Sequence, residues 1–80
     1  MNSHIPENVK HDLYKNALSA SVKYWVDLES KNGIFMDNAQ EKIINELFDM
    51  LVKKNPLTLK DLKLEIVNNL KPITKKYQLW

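Results

Sequence analysis

The stretch from Asp37 to Leu70, DNAQEKIINELFDMLVKKN, then Pro56, then LTLKDLKLEIVNNL, decides the fold. Proline disfavours helical geometry in the residue before it, so the chain must turn at Asn55 between two helical halves. In the first half Ala39, Ile43, Leu47 and Met50 form one row, and Ile44, Phe48, Leu51 and Val52 carry the apolar surface further round the cylinder. That arc spans roughly 220° at 100° per residue, which predicts a helix over about 38–54 that is the most buried of the fold. Asp37 with Gln40 three residues on reads as an N-cap and capping box. In the second half Thr58 is the expected cap with Asp61 at its third position, and Leu57 can staple onto Leu62. Leu59, Leu62, Ile66, Val67 and Leu70 then make a stripe of ordinary width, giving a helix over about 58–70.

Working outward, residues 1–7 read as a flexible leader. From Asn8 to Ser30 the residues Val9, Leu13, Ala17, Ala20, Tyr24 and Leu28 recur at spacings of three and four, which marks a core-like helical face. Tyr14, Leu18, Val22, Trp25 and Val26 fall on a second sector, so the apolar arc of this helix, over about 8–30, reaches roughly 260°. One neighbour cannot cover it. Asn32 and Gly33 suit a left-handed C-terminal cap, and Ile34-Phe35-Met36 makes an apolar connector expected to tuck under the bundle or to anchor a partner. At the other end Pro72 opens a short helical turn, about 72–79, whose Ile73, Tyr77 and Trp80 share one face and must dock. The expectation is a single all-α domain over 1–80: a small bundle of three helices plus a C-terminal turn.

Composition bounds the function. A chain of 80 residues buries only roughly 60–65% of its unfolded surface. With no cysteine it has neither disulfides nor thiolate chemistry, and the cytoplasm is the expected compartment. No run approaches the roughly 18–20 apolar residues of a membrane span, and the first residues lack the pattern of a signal peptide, so no membrane partner is expected. One glycine excludes phosphate-cradling loops. Ser3, Ser19, Ser21 and Ser30 have no nucleophile elbow around them. His4 and His11 are too far apart for one helical turn, and Glu41, Glu46 and Asp49 have no accompanying Glu-x-x-His pair. No enzyme, metal site or cofactor is expected.

Two functional classes survive. The first is a protein-interaction module, self-associating as a homodimer or acting as adaptor or regulator of another protein. It follows from apolar arcs that a three-helix bundle cannot hide, at roughly 25 cal/mol per Å² of apolar surface left in water. The expected contact residues are Tyr14, Leu18, Trp25, Val26, Phe35 and Trp80. The second class is nucleic-acid binding. Up to Asp49 five lysines face eight acids, whereas from Met50 onward seven lysines face two acids, and every basic residue is lysine. The tight corner with Leu57-Thr58-Leu59-Lys60-Asp61-Leu62 resembles the first part of a helix-turn-helix, over about a third of the chain. That resemblance implies that Pro72–Trp80 would be the recognition element, and the lysine-rich C-terminal third offers Lys60, Lys63, Lys71, Lys75, Lys76 and Tyr77 as nucleic-acid contacts. Lacking arginine, the chain would bind without reading sequence.

Overall fold

Three helices form where the apolar spacing requires them. The computed structural model describes residues 4–79: a 3-10 turn at Glu7–Val9 leads into α1 (Lys10–Glu29), followed by α2 (Ala39–Lys54) and α3 (Leu59–Lys76). The fold is an all-α bundle. Each helix buries one row at four-residue spacing. In α1 the row is Lys10, Tyr14, Leu18, Val22 and Val26; in α2 it is Ala39, Ile43, Leu47 and Leu51. In α3 it is Leu62, Ile66 and Thr74, with half-buried Leu70 between them. Such four-residue rows are the ridges by which helices interlock. The most extensive packing joins α1 to α2, and the least joins α1 to α3.

Local chemistry sets the corners, and it departs from expectation at both ends of α2. The N-cap is Asn38, in the left-handed region at φ 60°, and no side chain caps the helix. Asparagine tolerates that conformation, and the chain reversal it makes lets Met36 O accept from the Ala39 N–H at 3.2 Å. The capping box of Asp37 and Gln40 therefore does not form. At the far end Asn55 is also left-handed, φ 53°, and its N–H closes onto Leu51 O at 2.8 Å. Pro56 is buried beneath that turn, and Thr58 Oγ1 accepts from the Asp61 N–H at 3.1 Å, the cap that its position predicts. The end of α1 uses no left-handed glycine. Instead Ser30, Lys31 and Asn32 donate back in successive turns to Val26, Leu28 and Glu29.

Two terminal expectations are corrected. Residues 4–7 of the leader are not loose: Ile5 is 2% exposed within the core, and its N–H donates to Leu57 O at 2.8 Å. At the other end there is no separate turn after Pro72, because α3 runs through it to Lys76. An internal proline costs about 3 kcal/mol or more in helix energy. Offsetting it, Thr74 and half-buried Ile73 and Tyr77 continue to pack on the core, and Thr74 Oγ1 donates to Leu70 O at 2.6 Å. Beyond α3 the chain lies antiparallel to the α1–α2 connector, with the Met36 N–H on Tyr77 O at 3.0 Å and the Leu79 N–H on Ile34 O at 2.6 Å. Trp80 lies outside the described residues.

Candidate interaction surface

The two apolar sectors of α1 exchange the roles that their spacing suggested. Tyr14, Leu18 and Val26, expected as contact surface, are core residues at 0%, 0% and 7% exposure. The face expected to be core is only partly covered: Leu13 and Ala17 are half-buried against the core, whereas Val9, Ala20, Tyr24 and Leu28 are exposed, Tyr24 at 70%. The cause is polar as well as apolar. The Tyr14 hydroxyl donates to Pro56 O at 2.9 Å, and buried Lys10 donates to Asn55 Oδ1 at 2.6 Å and to Glu7 Oε1 at 2.8 Å. These bonds pin the row holding residues 10 and 14 against the α2–α3 corner and so orient the whole helix. Burial raises the Tyr14 phenol above its usual range. Trp25 and Phe35 are half-buried, and Trp80 falls outside the described residues.

With α1 so oriented, its seam with α3 stays ajar. Leu13, Ala17 and Ser21 form one wall of an open groove of about 300 Å³. Leu59, Lys63 and Val67 form the other, over a floor of Leu62 and Ile66. Leu59 and Val67 are 46% and 59% exposed. Small side chains at Ala17 and Ser21 leave the space unfilled. A larger recess of about 570 Å³ lies between the ends of α1 and α2, lined among others by Phe35, Met36, Asn38 and Glu41. Among the described residues no three His, Cys, Asp or Glu side chains gather as metal ligands. No described helix is long and apolar enough to cross a membrane.

The lysines of α3 divide into two sets. Lys60, Lys63, Lys71 and Lys75 are exposed, and helical geometry places them within an arc of about 120°, beside the groove that Lys63 itself lines. Lys76 and Tyr77 instead turn to α2, where both meet Glu46: Lys76 Nζ lies 2.7 Å from Oε2, and the Tyr77 hydroxyl donates to Oε1 at 2.7 Å. Hydrogen bonds from Lys76 and then Tyr77 hold the Glu46 carboxyl below its ordinary value. The same carboxylate raises the Lys76 ammonium and the Tyr77 phenol. These two residues form a structural clasp, and among the described residues α3 runs unbroken through Pro72, so the expected turn at about 72–79 is not a separate recognition element.

Sequence reasoning missed Lys10 as a buried residue and the groove as a site. A lysine one helical turn before a buried tyrosine was the available signal for the first. For the second, the paired small residues Ala17 and Ser21 on an apolar face were the signal, legible only once α3 lies opposite them. Compared with known proteins, the chain matches no family model, no curated protein and no solved structure.

Proposed function

We propose that the protein is a non-enzymatic helical interaction module that acts in the cytoplasm as adaptor or regulator of another protein, or pairs with itself. The α1–α3 groove carries this reading: an apolar channel left unfilled between two helices is a surface where a further helix gains burial without unfolding anything. Its walls include two large apolar side chains about half in solvent, Leu59 and Val67. Observing backbone amides by NMR tests it. Either dilution from about 1 mM to about 20 μM, or addition of an amphipathic helical peptide, is expected to move the amides of Ala17, Ser21, Lys63 and Val67. Shifts in neither experiment remove the reading.

A second reading, unspecific binding to nucleic-acid phosphates, is favoured by the exposed row of Lys60, Lys63, Lys71 and Lys75. Engagement of all four predicts an affinity for duplex DNA that falls with a logarithmic salt slope of about 3.6. An unchanged anisotropy of labelled duplex and single strands at low salt rules it out.

A further inference from the structure

The occupant of the groove can be narrowed by charge, an inference that rests on the interaction reading above. The walls run from Leu13 to Ser21 on α1 and from Leu59 to Val67 on α3, about 12 Å each at the rise of a helix. That length accepts just over two turns of a guest helix, with apolar anchors at i, i+3 or i+4, and i+7. The α3 lip carries Lys60, Lys63 and Lys71, all exposed. Among the described residues the ion pairs are Lys10 with Glu7 and Lys76 with Glu46, so these three are unpaired. The acids of α3, Asp61 and Glu65, fall outside the lysine arc by helical geometry. On the α1 lip Asn16 and Ala20 are uncharged beside the groove, Asp27 lies on the same side more than a turn beyond Ser21, and Asp12 and Lys23 further round offset each other. A second copy related by a two-fold axis across the groove would set lysine row against lysine row, and one related by an axis along the groove would set each lysine row against an α1 lip with no acid beside the groove, so neither pairing neutralises these charges. Opposite potentials across an interface steer and select partners.

We propose that the α1–α3 groove receives an amphipathic helix of another protein that bears acidic residues along the edge lying against Lys60, Lys63 and Lys71. The apolar anchors enter between Ala17 and Val67, and the carboxylates align with the lysine lip.

Two fluorescein-labelled, stapled helical peptides of about 18 residues test this, long enough to hold helix in water. They share leucines at the three anchor positions and differ only in carrying glutamate or lysine along one edge. The glutamate peptide is expected to bind at least about ten-fold more tightly at low salt, with the preference shrinking as salt rises. The double variant K60E/K63E, altered only at exposed positions, is expected to reverse the preference. Val67→Asp, on the 59% exposed wall, is expected to abolish binding of both peptides, while Val52→Asp on the outside of α2 leaves it intact. Equal binding of the two peptides, lost in Val67→Asp, overturns the acidic partner and leaves the interaction reading standing. No binding of either up to about 1 mM overturns both. A concentration-dependent dimer that Val67→Asp dissociates gives the groove to a second copy and overturns the proposal, as does duplex DNA competing the glutamate peptide away stoichiometrically.

Discussion

The two seams of α1 differ more than any other pair of regions in the molecule. Toward α2 the helix sets Tyr14, Leu18, Val22 and Val26 into a row of Ala39, Ile43, Leu47 and Leu51, and every one of these is buried. Toward α3 it sets Leu13, Ala17 and Ser21 opposite Leu59, Lys63 and Val67, and a groove remains. Both faces are apolar enough to have been the core. The difference teaches that apolar content alone does not choose the sealed face: polar groups that find partners add to the choice. Tyr14 and Lys10 satisfy a carbonyl and an amide of the Asn55–Pro56 corner.

The largest effect that can break this contrast is a cavity in the sealed seam. Leu18→Ala or Leu47→Ala is expected to cost about 2–5 kcal/mol in urea denaturation, whereas Leu59→Ala on the open seam costs about 1 kcal/mol or less. Similar losses from both would mean that the groove closes in solution. Overpacking should discriminate next: Val22→Phe in the sealed row is expected to destabilise by about 1–3 kcal/mol. Tyr14→Phe keeps the ring but leaves Pro56 O without its donor, and a loss of about 1–3 kcal/mol follows if that bond orients α1. A neutral Tyr14→Phe would assign the orientation to packing alone.

Filling the open seam should have the opposite sign. Ser21→Leu adds apolar surface where space exists, so a gain of about 0.5–1 kcal/mol is expected, together with weaker binding of any helical peptide.

The smallest effect belongs to the Glu46 clasp, which sits outside both seams. Because Lys76 and Tyr77 hold the Glu46 carboxyl low in the folded protein, its contribution is present above the unfolded value of 4.5 and is lost as pH falls through the folded one. Lys76 and Tyr77 are raised, so theirs is complete below the unfolded values of 10.5 and 10.0 and is lost as pH rises through the folded ones. Thermal melts of Glu46→Gln against the parent should therefore differ most near neutrality and converge toward both extremes. The midpoint shift should be smaller than that of Tyr14→Phe. A difference independent of pH would assign Glu46 to packing.

Much of the fold was legible from local signals. The spacing of Ala39, Ile43 and Leu47 placed α2, Pro56 placed the corner, and Thr58 with Asp61 placed the start of α3, because each acts through neighbours a few residues away. The errors share a different cause. Local preference opposes an internal proline and marks Pro72 as a helix start, yet packing of Ile73, Thr74 and Tyr77 overrides it. The residue type of Asp37 suits a cap, yet the left-handed turn at Asn38 leaves Met36 O to accept from the Ala39 N–H. Residues 4–7 carry no apolar periodicity of their own and read as loose, yet Glu7 pairs with Lys10 and the Ile5 N–H donates to Leu57 O, some fifty residues away. Among the expected contact residues, Tyr14, Leu18 and Val26 were misplaced as a set.

By itself the sequence determined that this chain makes three helices, and that the first carries two apolar sectors of which one neighbour covers only one, since periodicity and composition are properties of residues. Only the tertiary structure decided where the excess would lie. A helix with two apolar faces is degenerate until something distant breaks the tie, and here Asn55 and Pro56 do so by accepting from Lys10 and Tyr14. Those contacts turn one face inward and leave the other as the wall of a lysine-edged groove.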